Sequence, residues 1–218
     1  MSDGRGIRSG VPGEWAPTAF LAGGLGIGAA VLLVAVQGLA NVTAPGWVTV
    51  VPGLGGLLAA LLGLLSYYPR VAGPAPRLGS AGAAFALVGM VLFVVAVFRV
   101  VVSTLTTGAT LAERPDGVTL LLVGTLVGLA LGFLCYGAAS TRTRTPSRAV
   151  GHLLLVPAAG ILGNVLYVTL SGALGVGVVS GVPTVSFLVA AVGTVALGYR
   201  LRSEVSSADQ SERADTTA

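Results

Sequence analysis

Six uninterrupted apolar stretches, each about as long as a bilayer is thick, leave this chain few folds to choose from. They fall near residues 18–39, 47–68, 81–103, 118–139, 149–170 and 177–199. About 20 helical residues cross a hydrocarbon core of roughly 30 Å at 1.5 Å per residue. An unpaired backbone N–H or C=O in lipid costs several kcal/mol, so a crossing segment must be a helix or a strand of a closed barrel. Barrel strands run for about ten residues of alternating polarity, whereas these runs are continuous. The expected class is all-α: a polytopic membrane protein with six transmembrane helices in a compact bundle.

The charge content excludes the soluble alternative. Only 9% of the 218 residues are charged and 54% are hydrophobic, against roughly 25% charged in a soluble domain. The net charge of +4 does not mark a nucleic-acid binder, because the basic residues are scattered between apolar runs and form no stripe. All twelve are Arg, which we read as codon bias in a GC-rich or halophilic prokaryote. The single Cys135 excludes an internal disulfide, and one His leaves no zinc-type cluster. No metal or other cofactor is expected.

Three regions follow: a disordered tail at 1–16, a six-helix membrane domain at 17–200, and a second disordered tail at 201–218, both tails rich in Ser, Asp and Arg. Arg5, Arg8 and the small-residue run Gly38-Leu39-Ala40 imitate a signal peptide. The first apolar run is too long for a signal core of 7–15 residues, so it reads as a retained helix.

Arginine placement orients the chain. Ten of the twelve, including Arg70, Arg77, Arg142 and Arg148, fall on one side of a six-span arrangement, leaving Arg99 and Arg114 on the other. Positive residues stay cytoplasmic, so both termini are expected inside a cell membrane. Every Trp and Tyr lies at a span end, with Trp15, Tyr67, Tyr68, Tyr136 and Tyr199 inside and Trp47 and Tyr167 outside, where amphipathic rings prefer to sit.

Glycines recur at four-residue spacing, most regularly at Gly124, Gly128 and Gly132. Such faces allow close helix approach in lipid, where hydrophobic driving force is absent. They serve packing within one chain or contact with a second copy or partner subunit. Short matches at offsets of 101 and 105, such as Val51-Pro52 with Val156-Pro157, hint at an inverted three-helix repeat.

Residues suited to chemistry are few. No Asp or Glu lies inside a span, which removes the carboxylates on which proton relays rest. Arg99, Asn164, Gln37 and Tyr167 share the outer half and form a candidate polar pocket. For Arg99 the competing expectation is a side chain that reaches back to the nearby interface, beside Glu113 or Asp116. Asn164 and Gln37 suit interhelical hydrogen bonds equally well. Pro52, Pro157 and Pro183 are candidate kinks. His152 reads as an interfacial surface residue. Asn41-Val42-Thr43 fits a glycosylation pattern too near the membrane for use. Gly177-Val178-Val179-Ser180-Gly181 has the wrong spacing for a nucleophile elbow, and without Lys there is no Walker A motif. The expectation is no enzyme: a non-catalytic membrane component or subunit, with a small-solute permease as the alternative. The bilayer is the expected partner and nucleic acid is not.

Overall fold

The structure is a computed structural model that describes residues 15–41, 45–107, 117–143, 147–179 and 181–216, with the backbone alone for 205 and 208–216. Arg5, Arg8, Val42, Thr43, Glu113, Arg114, Asp116, Arg144 and Ser180 lie outside the described residues, and most of the 1–16 tail with them. Six α-helices follow in order: α1 Ala16–Ala40, α2 Trp47–Ala72, α3 Pro76–Thr107, α4 Val118–Thr143, α5 Arg148–Ala173 and α6 Gly181–Thr216. All six are long and apolar enough to cross a bilayer, and the chain is a multi-pass helical membrane protein. Large side chains such as Leu39, Leu105 and Leu120 stand 88%, 80% and 76% exposed. In lipid that outward hydrophobicity is the solvated state and not a defect.

The helices form a ring. Each packs on its neighbours in sequence, α6 closes back on α1, and α2 also touches α4 across the ring. Short connections make consecutive helices antiparallel, so both termini lie at one end, called here the terminal face. Glycines bring the backbones together at these contacts. A β-carbon on Gly56 of α2 would stand 2.5 Å from the Ile27 amide nitrogen of α1. One on Gly198 of α6 would stand 2.7 Å from the Leu21 amide nitrogen. Between α5 and α6, one on Gly160 would stand 2.7 Å from the Ser186 carbonyl oxygen. With no hydrophobic force between helices in lipid, this close van der Waals approach is what the ring rests on.

The regular glycine stripe of α4 is spent inside the chain. A β-carbon on Gly128 would meet the Phe85 carbonyl oxygen of α3 at 2.9 Å, one on Gly124 would meet Leu92 Cδ1 at 2.8 Å, and one on Gly132 would meet Leu64 Cδ1 of α2 at 2.9 Å.

Two features depart from the sequence expectations. The chain after residue 200, expected to be irregular, continues as helix to Thr216. Leu201 is fully buried, Arg200 and Glu204 form an i,i+4 ion pair at 3.7 Å, and the Ser147 hydroxyl donates to Glu204 Oε1 at 3.0 Å. Burial and polar anchoring thus carry the helix beyond its apolar stretch. Ser147 also caps α5, accepting from the Val150 N–H at 3.4 Å. Ser147→Ala removes both bonds and is expected to cost about 1 kcal/mol, lowering the melting temperature in detergent by about 2–4 °C.

The prolines also divide differently. Pro52 and Pro157 lie within α2 and α5, whereas Pro183 is the third residue of α6, where its missing N–H has no helical partner to lose. Pro69, placed just past the second span by sequence, lies inside α2, which runs on to Ala72.

Candidate functional site

The ring is filled at one half of its depth and hollow at the other. On the terminal-face side its axis is plugged by aromatic rings from three helices. Phe20 of α1 lies 6.4 Å from Tyr67 of α2 and 5.9 Å from Phe133 of α4, and Tyr67 lies 5.8 Å from Tyr136 of α4, measured between ring centroids. Glycines make room for them: Gly63 faces the Phe20 ring and Gly82 faces the Tyr136 ring, both too closely for any larger residue. Leu61, Leu64, Leu129, Leu154 and Leu197 pack fully buried in the same half.

Tyr67 and Tyr136 correct the reading of an aromatic belt. Both sit at the depth expected from sequence, yet they are fully buried, turned into the ring and away from the headgroups. Trp15, Trp47 and Tyr199 are exposed as belt residues are. The Tyr67 and Ser140 hydroxyls lie 3.3 Å apart in hydrogen-bond contact, and the Tyr136 hydroxyl is buried with no partner. Tyr67→Phe removes a single interhelical bond, which in membrane proteins averages about 0.6 kcal/mol. A drop in melting temperature of about 1–2 °C is expected.

Away from the terminal face the helices enclose a half-open cavity of about 440 Å³. Every helix lines it, among others with Ile27 of α1, Leu54 of α2, Val97 of α3, Leu126 of α4, Asn164 of α5 and Phe187 of α6. These residues come from the middle of α1, the C-terminal halves of α3 and α5 and the N-terminal halves of α2, α4 and α6, which antiparallel packing places at one depth. Small residues keep it open: Ala30, Gly53 and Ala96 line it where larger side chains would fill it. Among the described residues the lining is aliphatic apart from Thr49, Thr119, Asn164 and the Phe187 ring, and holds no ionisable side chain. Thr49 is already spent on the Gly46 carbonyl, to which its hydroxyl donates at 3.0 Å.

The four candidate polar residues do not converge. Asn164 lines the cavity, is 7% exposed, and its Oδ1 is buried with no partner. Arg99 is on the exposed side of α3, and its Nη1 lies 3.4 Å from where a β-carbon on Gly117 would stand. Its side chain therefore runs along the bundle to the segment leading into α4. Gly117 has φ of +81° there, a backbone that L side chains rarely adopt. Gln37 lies in the last turns of α1 with its Nε2 buried and unpartnered. Tyr167 is engaged elsewhere: its hydroxyl accepts from the Val179 N–H at 2.8 Å, tying α5 to the segment before α6.

The cavity itself escaped the sequence reading. Its lining residues look like any other apolar positions, and only the ring arrangement shows that Ala30, Gly53 and Ala96 line one volume. His152 is exposed, Cys135 is a free thiol, and the described residues hold no metal-binding cluster. No family model matches the chain, and no curated protein or solved structure matches it.

Proposed function

We propose that this chain is a non-catalytic component of the cell membrane that holds a small, apolar-bodied molecule within the bilayer's depth. The observation that supports it is the half-hollow ring: a cavity bounded by all six helices above an aromatic plug, without an ionisable lining residue among those described. A pure scaffold would gain van der Waals contact by filling that space. Catalysis would need a nucleophile, an acid or base, or a metal at the cavity wall, and its lining supplies aliphatic groups, two hydroxyls and one amide.

A permease for a small solute is the second reading, favoured by the asymmetry of one hollow and one plugged half, as in a carrier open to one side. The lining argues against it. A polar solute needs groups that replace its hydration, and an apolar one enters hydrocarbon without help. The bilayer is the partner in either reading. With both termini cytoplasmic, as the arginines indicate, the cavity faces outward.

Two measurements test this. In a Cys135→Ala background, a membrane-impermeant thiol reagent added to intact cells is expected to modify Gly177→Cys, at the face opposite the termini. It should reach Pro76→Cys only after permeabilisation. The reverse pattern overturns the orientation. Sealed proteoliposomes are expected to release glycerol and erythritol no faster than protein-free liposomes. Faster release that Leu126→Trp abolishes would replace the component reading with the permease.

A further inference from the structure

We propose that the cavity is a binding site for one neutral, largely apolar small molecule carrying a single hydroxyl or carbonyl, which the Asn164 side chain holds. This deepens the reading of the chain as a ligand-holding component.

The size is right for a small-molecule site. The cavity of about 440 Å³ falls within the range of about 300–1,000 Å³ for such sites, which are mostly apolar with a few placed polar groups. Among the described residues no Arg, Asp, Glu or His lines the cavity, so an ionic group brought against them would be desolvated without a counter-charge from that wall. Arg99, the charged residue nearest in sequence to the α3 lining residues Ala96, Val97 and Val100, runs instead toward Gly117.

The single polar contact is set by Asn164. A buried polar group in a membrane bundle is ordinarily hydrogen-bonded to a neighbouring helix, yet Asn164, which lines the cavity, has its Oδ1 buried without a partner just behind that surface. A primary amide offers an acceptor oxygen and two N–H donors, and rotation about its last bond exchanges them. The same side chain therefore reads a hydroxyl or a carbonyl. A largely apolar cavity lined by an amide whose oxygen is unpaired is complementary to an amphiphile with one neutral hydrogen-bonding group.

That chemistry belongs equally to a soluble alcohol or ketone and to a membrane-resident fatty alcohol, and the test separates the two. The probes are a ten-carbon alcohol bearing a diazirine, the same chain without the hydroxyl, and the same chain as a carboxylate, each at equal concentration in proteoliposomes of the full chain. After photolysis, labelling is mapped by peptide mass spectrometry. The alcohol is expected to label α2 and α4 lining residues about tenfold more than the hydrocarbon, one hydrogen bond's worth of occupancy. The carboxylate should label no better than the hydrocarbon. Asn164→Leu should bring the alcohol-to-hydrocarbon ratio to about one while hydrocarbon labelling persists, which also shows that the variant folds. A diazirine-bearing long-chain fatty alcohol confined to the bilayer and labelling the same residues assigns the ligand to the bilayer, and labelling by the shorter alcohol alone assigns it to the aqueous side. Equal labelling by alcohol and hydrocarbon in the unmodified protein, preference for the carboxylate, or a ratio that Asn164→Leu leaves unchanged overturns the proposal. Occupancy is read without any flux, so the result stands apart from the liposome release assay.

Discussion

Gly56→Leu is expected to break the contact between α1 and α2, while the same change one residue earlier, Gly55→Leu, leaves the protein intact. A β-carbon at Gly56 would stand 2.5 Å from the Ile27 amide nitrogen, 2.8 Å from the Gly23 carbonyl oxygen and 2.9 Å from the Gly26 carbonyl carbon. All three are backbone atoms and cannot swing aside as a flexible side chain would. Relief requires the two helices to separate, which gives up the close approach that holds them. Overpacking in a core costs 1–3 kcal/mol and occasionally more; with a backbone obstacle about 3 kcal/mol or more is expected. For a chain of this length that lowers the melting temperature by about 6–12 °C. Gly55 has nothing within 4 Å of its β-carbon position and is exposed toward lipid. A larger apolar residue there should change the melting temperature by no more than about 1–2 °C. Equal effects at the two sites, read by thermal unfolding in detergent, would show that the ring is not closed by glycine contacts.

The second large effect is functional and carries little stability cost. Leu126→Trp places a bulkier apolar ring into the cavity from α4, beside space that Ala30, Gly53 and Ala96 leave open. An apolar ligand then has to displace or distort that ring, at the 1–3 kcal/mol typical of overpacking. This weakens occupancy about ten- to hundredfold. Filling a void in the unliganded protein adds contacts, so the melting temperature is expected to hold or rise by a few degrees. Photolabelling of the lining residues measures the first and thermal unfolding the second. Loss of both labelling and stability would mean that position 126 is already tightly packed.

Much of the fold was legible in the sequence because lipid imposes a simple rule. A crossing segment must satisfy its own backbone, so the six apolar runs map onto α1 to α6 with ends shifted by five residues or fewer, except that α6 runs on to Thr216. The glycine spacing on α4 likewise announced a face for close approach, and Phe85, Gly89 and Leu92 of α3 occupy it. Which way a side chain turns at a given depth was not legible. Tyr67 and Tyr136 carry the signature of belt residues, yet they turn inward because Gly63, Gly82 and the rest of the terminal-face half leave space only the ring axis can offer. Arg99, Gln37, Asn164 and Tyr167 share a depth but not a direction, and depth was all the sequence supplied. The tail beyond residue 200 is polar in composition, and its first turn is held by tertiary partners, Leu201 in the core and Glu204 at Ser147, that composition does not encode. The cavity was the least visible feature, since an unfilled volume is a property of six helices together and of no segment alone.

Xenon binding tests the central claim, an unfilled apolar cavity in one half of the ring, most directly. Apolar cavities take up xenon, and the aliphatic part of this lining is expected to do so, whereas a filled bundle offers no such site. Xenon-129 exchange spectra of the protein in nanodiscs, compared with Leu126→Trp in the same lipid, subtract the gas dissolved in the bilayer. The account expects a saturable xenon site in the unmodified protein that Leu126→Trp removes. Identical spectra from the two proteins, both shown to be folded by thermal unfolding, would contradict it.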